Sequence, residues 1–203
     1  MKNQFEIRLI SETDVAAVLE IYTYYVENTI ISFEYEAPSL EEYHQRIITN
    51  TVNYPWIVCL YNSQIIGFAY GSTHRYRTAY QWSPESTIYM APDFHTKGIG
   101  KLLYELLLSL LKLQGYYNVY AGVALPNDKS IGLHKKLGFE EIGIFQKVGY
   151  KHGDWHDTHW FQIHLNTHKL EPATPKKLKE VANSSPFQSL LTKANDRINN
   201  MLI

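Results

Sequence analysis

The sequence predicts an α/β domain, because segments typical of strands alternate with segments typical of helices up to about residue 165. At the N-terminus, Phe5, Ile7 and Leu9 alternate with charged residues, which is the period of a half-buried strand. In the middle of the chain, leucines between residues 102 and 113 recur at helical spacing, and Gly115 follows them as a natural C-cap. These signals are typical of a sheet flanked by helices.

Capping and turn signals predict the remaining elements. Ser11 and Ser39 each precede an acidic residue by three positions, which predicts the starts of two helices. The pair Asn62-Ser63 separates two apolar runs and predicts a hairpin of strands at residues 56–61 and 64–70. Further strands are predicted at about residues 86–91, 119–125, 141–147 and 155–165, with a short helix at residues 127–137.

Composition excludes several classes of protein. A hydrophobic share of 45% and a charged share of 19% are ordinary for a globular chain, so the sequence is neither disordered nor fibrous. A net charge of -1 gives no general field for nucleic acid or an anionic membrane. Polar residues interrupt the apolar run at residues 102–113, and the first residues lack the apolar core of a secretory signal. We therefore expect a soluble, cytoplasmic protein that binds neither nucleic acid nor membrane.

Residues 90–101 combine a strand, a glycine-containing loop and a helix. Gly98 and Gly100 stand where the helix begins, and Lys97 and Lys101 add positive charge. Backbone N–H groups at a helix start have no internal acceptor, so a pyrophosphate can bind there. Taken alone, the Gly-x-Gly pattern equally fits a tight strand-to-helix turn without a ligand. It is too short for a Walker A loop and lacks the third glycine of a dinucleotide fingerprint.

Four further stretches give this loop a context. Residues 127–130 and 133–139 complete the order Gly-x-Gly helix, strand, Asn-x-x-Ser helix and Leu-Gly-Phe, which resembles the acetyl-CoA-binding half of the GNAT superfamily. Residues 77–90 and 149–157 resemble two motifs of the phosphinothricin acetyltransferases. The resemblance covers about residues 4–166. It implies an α/β fold of the α+β type, with a mixed, mostly antiparallel sheet flanked by helices.

The resemblance also implies how acetyl-CoA is held. In the family, a Gln/Arg-x-x-Gly-x-Gly/Ala loop holds the pyrophosphate, a strand contacts the pantetheine arm, and an asparagine borders that arm. Acetyl-CoA is therefore expected between diverging strands at residues 88–90 and 119–125. His95 stands where the family usually has Gln or Arg, so its side-chain contact departs from the pattern. The implied cofactor-binding residues are Ile88, Tyr89, Met90, His95, Thr96, Lys97, Gly98, Ile99, Gly100, Lys101 and Asn127.

Two residues are implied as catalytic. A primary amine is protonated at neutral pH and must lose a proton before it attacks a thioester, and Glu85 occupies the position of the family's general base. His134 occupies the place of a tyrosine that protonates the departing CoA thiolate in many GNAT enzymes. A histidine packed beside the cofactor is the alternative for His134. Direct transfer is expected, with an N–H in residues 88–90 stabilising the oxyanion.

The acceptor is expected to be a small amino acid. Arg75, Arg77 and Tyr80 precede Glu85, and guanidinium groups bind carboxylate or phosphinate oxygens, while Phe33 is a weaker candidate for an apolar wall. The expected acceptors are phosphinothricin, methionine sulfoximine and methionine sulfone. The alternatives are an acetyltransferase for protein N-termini or another amine, and a module that senses acetyl-CoA without catalysis.

Other reactive side chains are expected to be structural. The histidines at 152, 156 and 159 follow no recognised zinc spacing, so we expect no metal. Cys59, in an apolar run, is expected to be a buried, inert thiol. The resemblance further implies a homodimer, because the family builds its substrate pocket beside a subunit interface.

The sequence divides into a domain of residues 1–166 and an appendage of residues 167–203. Residues 171–175 contain two prolines and predict a linker. Beyond the linker, apolar residues repeat at helical spacing, and we expect this helix to dock on its own domain or a second subunit, away from the catalytic loop. The stripe consists of Phe187, Leu190, Leu191, Ala194, Ile198, Met201 and Leu202.

Overall fold

The computed structural model of the protein describes residues 4–201. Residues 1–3, 202 and 203 lie outside that part, and with them Leu202 of the expected stripe and the first residues discussed above. The described strands are β1 (Phe5–Leu9), β2 (Trp56–Tyr61), β3 (Gln64–Ser72), β4 (Glu85–Met90), β5 (Asn118–Ala124), β6 (Glu140–Lys151) and β7 (Asp154–His164). The helices are α1 (Val15–Asn28), α2 (Leu40–Thr51), α3 (Ile99–Gln114), α4 (Asp128–Lys136), α5 (Leu178–Val181) and α6 (Ser185–Asn199).

Within residues 4–201, the strands form one seven-stranded sheet in the order β1-β2-β3-β4-β5-β7-β6. Neighbouring strands are antiparallel except β4 and β5, which are parallel. A parallel pair needs a crossover connection, and α3 provides it. The expected mixed, mostly antiparallel sheet is confirmed.

Helices cover both faces of the sheet. Side chains alternate along β2, so Val58 faces the cluster made with α1 and α2, whereas Cys59 faces the cluster made with α3 and α6. Burial raises the pKa of the Cys59 thiol to about 12, so its thiolate is scarce and the side chain serves packing, as expected. None of the helices in residues 4–201 is long and apolar enough to cross a membrane.

The helix termini follow the signals in the sequence. The Ser39 side chain accepts a hydrogen bond from the Glu42 N–H at 3.2 Å, and the Glu42 carboxylate accepts one from the Ser39 N–H at 2.8 Å. Gly115 ends α3 with a φ of 96°, a left-handed conformation that glycine adopts without strain. Both predicted caps are confirmed.

The last hairpin is longer than predicted. We expected its first strand to end at residue 147, but β6 continues to Lys151. Its pairing with β7 is interrupted between Phe145 and Gly149, where Lys147 has a φ of 48°, and then resumes. The Asp157 carboxylate accepts a hydrogen bond from the Lys147 N–H at 2.7 Å and holds this bulge. The polar bulge hides the continuation of the strand from a period-two analysis.

The tail docks on its own domain through polar and apolar contacts. Phe187 and Ile198 of α6 are fully buried in the cluster that contains α3. The Asn195 side chain exchanges two hydrogen bonds of 2.8 Å with the backbone of Ile7, and Asn199 exchanges two of 2.9 Å with Phe5. The helix therefore satisfies the outer edge of β1. The short helix α5 was not predicted, because four residues are too few to show the helical repeat of apolar side chains.

The tail lies close to the predicted site in two places. We expected its helix to dock away from the catalytic loop, and the contact nearest to Glu85 is made by the linker rather than by the helix. Trp82 lies three residues before Glu85, and its indole N–H donates to the Ala173 carbonyl at 2.8 Å. At the other end, a Cβ on Gly98 would lie 3.0 Å from the Met201 methyl group. The boundary at residue 166 stays a prediction, since the tail shares the main core.

Replacing Asn195 and Asn199 together by alanine is expected to lower the free energy of unfolding by about 2–3 kcal/mol. The hydrogen bonds to β1 are lost at about 0.5–1.5 kcal/mol each, and the higher helix propensity of alanine offsets part of this loss. Urea unfolding followed by circular dichroism measures the change. Asn200→Ala, at the exposed end of the same helix, is the control and should change stability by less than about 0.5 kcal/mol. An unchanged midpoint in the double variant would show that β1 does not depend on α6.

Candidate functional site

The candidate site lies where β4 and β5 separate. Among the described residues, Glu85 and Tyr120 are the one residue pair that joins these parallel strands. Just before it, the Tyr120 N–H donates to the Pro84 carbonyl at 2.9 Å. Just after it, the Ser86 hydroxyl reaches the Tyr120 carbonyl at 3.3 Å, and β4 and β5 have no further residue pair in the described part of the chain. Beyond Ser86 the two strands therefore leave an opening between them.

The glycine loop lies at the far end of β4, at the start of α3. Thr96 and Gly98 have φ values of 63° and 80°, which turn the chain so that the helix begins at Ile99. A Cβ on Gly100 would lie 3.5–3.6 Å from the side chains of Met90 and Ile88, so the helix start packs directly on the strand. The N–H groups of the first helical turn have no acceptor within the helix. The structure thus brings together the predicted pyrophosphate loop and the predicted pantetheine strand.

His95 turns its side chain inward from this loop. Its Nε2 lies 2.8 Å from the Tyr25 hydroxyl and 3.0 Å from the Met90 carbonyl oxygen, to which Tyr25 also donates. Burial raises the pKa of Tyr25 to about 12, so Tyr25 keeps its proton and remains a donor. The ring therefore ties α1 to the end of β4. A side-chain contact between His95 and the cofactor stays a prediction.

Glu85 stands beside a histidine that the sequence analysis missed. The Nδ1 atom of His74 lies 2.6 Å from Oε1 of Glu85. The His74 ring stacks on Tyr120, with ring centroids 4.8 Å apart and planes 18° apart, and meets Trp160 edge-on at 5.8 Å. The pairing of Ser72 with Glu85 could have revealed His74, because the loop that leaves β3 there must pass over Glu85.

The predicted acceptor residues are brought together only in part. The Arg75 guanidinium lies 5.7 Å from the centre of the Tyr80 ring, and Arg75 Nε lies 3.4 Å from Nε2 of His74. Arg75 and Tyr80 therefore adjoin Glu85 through His74. Arg77 precedes the short 3-10 helix Thr78–Tyr80, and its side chain is exposed.

Phe33 lies elsewhere, on the β6–β7 hairpin. A Cβ on Gly149 would lie 2.4 Å from the Phe33 ring, so only glycine fits there, and His156 stacks on Phe33 at 6.3 Å. Along β7, His156 is about 20 Å from Gln162, which pairs with Tyr120. The structure places Phe33 at that end of the hairpin rather than beside Glu85. Its role as an apolar wall stays a prediction.

A buried lysine holds the segment that carries Phe33. Lys151 is 2% exposed, and its ammonium group donates to the carbonyls of Val26 at 2.5 Å and Ser32 at 2.7 Å. Burial lowers the pKa of Lys151. The sequence analysis missed this contact, because the two segments lie more than a hundred positions apart in the chain.

His134 is enclosed by the core. It is 3% exposed and lies between aromatic rings, with Phe161 stacked at 5.4 Å. Nδ1 lies 2.8 Å from the Ser130 carbonyl and must carry the proton, so Nε2 accepts from the Tyr104 hydroxyl at 3.0 Å. That hydroxyl lies 2.6 Å from Ser86 Oγ. This arrangement supports the packing alternative, and the acid role of His134 stays a prediction.

His156 and His159 make structural contacts. His156 Nε2 lies 2.9 Å from the Lys151 carbonyl, and His159 Nε2 lies 3.5 Å from the Glu141 carboxylate. In the described part of the chain, no group of three or more His, Cys, Asp or Glu side chains is arranged to hold a metal ion.

The Asn127 side chain accepts a hydrogen bond from the Ser130 N–H at 3.2 Å and caps α4.

Comparison with known proteins identifies relatives of this chain. Residues 7–160 match the family model described as an acetyltransferase (GNAT) domain. The chain is 35% identical to a phosphinothricin N-acetyltransferase of Streptomyces viridochromogenes, over 87% of this chain and 94% of the relative. It is 28% identical to an L-methionine sulfoximine/L-methionine sulfone acetyltransferase of Salmonella typhimurium, over 82% and 98%. Its fold is similar to the crystal structure of a phosphinothricin acetyltransferase from Sinorhizobium meliloti in complex with AcCoA, with a TM-score of 0.80, 35% identity and coverage of 85% and 94%.

His134→Phe is expected to make stability less sensitive to acid. Burial lowers the pKa of His134, so the unfolded chain binds the proton more readily than the folded protein. The wild type therefore loses stability as the pH falls below the ordinary histidine value of about 6.5, by at most about 1.4 kcal/mol at pH 5.5. The variant should lack this loss. Urea unfolding at pH 7.5 and 5.5 measures it, with the exposed His152→Asn as control. The same acid loss in His134→Phe as in the wild type would contradict a buried neutral ring.

Proposed function

The chain belongs to the GNAT acetyltransferase family, and we propose that it transfers acetyl from acetyl-CoA to the amino group of a small amino-acid-like acceptor. The proposed acceptors are of the phosphinothricin, methionine sulfoximine or methionine sulfone type, the substrates named for its relatives. One observation carries this proposal: the Glu85 carboxylate stands beside Tyr120, where β4 and β5 begin to separate. An amine bound there lies at the mouth of the opening that receives the thioester.

The residues of the loop and strand fit acetyl-CoA as co-substrate. The N–H groups at the start of α3, together with Lys97 and Lys101, match the charge of a pyrophosphate. The backbone of residues 88–90 borders the opening, so it can bind the pantetheine arm by hydrogen bonds. Asn127 stands at the start of α4 on the other side of that opening. Use of acetyl-CoA favours a cytoplasmic location.

The chemistry follows from the place of Glu85. One of its oxygens faces His74, which leaves the other to take a proton from the acceptor ammonium. The neutral amine attacks the thioester carbonyl, and a backbone N–H of residues 88–90 stabilises the oxyanion. As the intermediate collapses, the C–N bond is kept, the C–S bond breaks, the nitrogen loses its second proton to become an amide, and CoA leaves as a thiolate that takes up a proton. His134 is the proposed donor, by way of the Tyr104 hydroxyl that links its Nε2 to Ser86. Because Nε2 accepts from Tyr104 in the neutral ring, this role requires that His134 first take up a proton at Nε2.

The acceptor side carries positive charge and aromatic surface. Arg75 and Tyr80 adjoin the Glu85–His74 pair, and Arg77 starts the neighbouring turn. Guanidinium groups pair with the carboxylate that the proposed acceptors share, and they can also pair with the phosphinate oxygens of phosphinothricin or the sulfone oxygens of methionine sulfone. A peptide N-terminus lacks a carboxylate next to its amine, which argues against that alternative.

CoA release measured against amino acids, sulfones, phosphinothricin and peptides tests the proposal. We expect turnover with the small acceptors and little with peptides. Glu85→Gln should lower kcat about a hundredfold, the scale of a lost general base, without changing the KM for acetyl-CoA. His134→Ala should cost less. The exposed Glu27→Gln is the matched control. Binding of acetyl-CoA without transfer to any amine would favour a module that senses acetyl-CoA. Full activity of Glu85→Gln would exclude Glu85 as the general base.

The homodimer implied by the family is proposed here as well. Strand β6 is an edge of the sheet, and it exposes Ile144 by 48% and Phe145 by 51%. Sedimentation velocity at micromolar concentration should show a dimer, and Ile144→Lys with Phe145→Lys should shift it to monomer. Ile48→Lys, on α2 and 43% exposed, is the control. A monomer at every concentration would contradict the dimer.

A further inference from the structure

We infer that His74 is a positioning residue for Glu85, holding one carboxylate oxygen so that the other faces the acceptor amine. This inference rests on the proposed role of Glu85 as general base. It begins with the 2.6 Å separation between His74 Nδ1 and Glu85 Oε1, which is a short, charge-assisted contact. A carboxylate held at one oxygen loses most of its rotational freedom. Its second oxygen then points in one direction.

The His74 ring is itself held in place. Its face lies on Tyr120, with planes 18° apart, and its edge meets Trp160. The side chain of His74 is only 14% exposed, compared with 31% for Glu85. Tyr120 is the residue of β5 that pairs with Glu85 of β4. The ring therefore joins the base to the opposite strand at the point where the two strands separate.

The neighbours of His74 assign its proton. Glu85 Oε1 is an acceptor, so Nδ1 carries the hydrogen. On the other side, Arg75 Nε can only donate, so Nε2 at 3.4 Å offers its lone pair. Both contacts are met by one neutral tautomer. Arg75 therefore orients the ring, the ring orients the carboxylate, and a residue proposed for acceptor binding is connected to the base.

Two substitutions separate this role from simple packing. His74→Phe keeps the stack on Tyr120 but removes the donor, whereas His74→Asn keeps an N–H near the Nδ1 position but removes the stack. With methionine sulfone as the probe acceptor, His74→Phe should lower kcat about tenfold, the loss of one hydrogen bond to a charged group. His74→Asn should retain kcat within about threefold. Both should keep the wild-type KM for acetyl-CoA.

A packing role predicts the opposite ranking, with His74→Phe active and His74→Asn impaired, and that result would overturn the inference. The control is Tyr76→Ala, on the same loop and 98% exposed, which should leave kcat unchanged. In a Glu85→Gln background, His74→Phe should add no further loss, since the two residues act through one carboxylate. A further tenfold loss there would also overturn it.

The result also separates this inference from the proposed function. If Glu85→Gln is impaired while His74→Phe has the kcat of the wild type, only the role of His74 is wrong. If Glu85→Gln is fully active, Glu85 is not the base and the role of His74 falls with it. If Glu85→Gln and His74→Phe are both impaired while His74→Asn is active, Glu85 stands as the general base and His74 as its positioning residue.

Discussion

The separation of two parallel strands is the constraint on which this structure depends. A sheet normally satisfies its backbone groups by continuous pairing, and an unpaired buried peptide group is costly. Here β4 and β5 pair at Glu85 and Tyr120 and then separate, although β3 and β7 continue to pair with their outer edges. The inner edges of the opening therefore hold peptide groups in need of a partner. A pantetheine arm with amide groups of its own matches that need, as a third strand would.

On the α3 side, the opening between β4 and β5 is lined by hydrogen-bonded polar side chains. Ser86, Tyr104 and His134 form a line of hydrogen bonds at 2.6 and 3.0 Å that runs beneath the separated strands. Each donor and acceptor in that line has a partner, so these side chains can be buried without a large cost. This network explains how the core stays closed below the opening. It also shows how a histidine fits at position 134, since a hydrophobic residue there would leave the Tyr104 hydroxyl with Ser86 Oγ as its one remaining partner in the network.

Local signals in the sequence predicted most of the fold. Contacts between distant parts of the chain could not be predicted from such signals. Gly98 and Gly115 were predictable, because a left-handed φ at a helix end depends on neighbours in the chain. Glu85 was assigned through a motif, and its role stays a prediction. His74, Lys151 and Asn195 were missed, since each acts on a partner that only the folded chain brings close. Phe33 was assigned from its position in the family, and its packing against Gly149 and His156 is likewise a long-range contact that the sequence does not reveal.

The contact between α6 and β1 has a geometric reason. Positions four apart on a helix are separated by about 6 Å, and positions two apart on a strand by about 6.6 Å. Asn195 and Asn199 therefore reach Ile7 and Phe5 together, each amide offering one donor and one acceptor to an edge residue. The tail thus closes the β1 edge without adding a strand. Met201 follows the end of α6 by two residues, and its methyl group would lie 3.0 Å from a Cβ on Gly98. Closing that edge therefore also brings a side chain close to the predicted pyrophosphate loop.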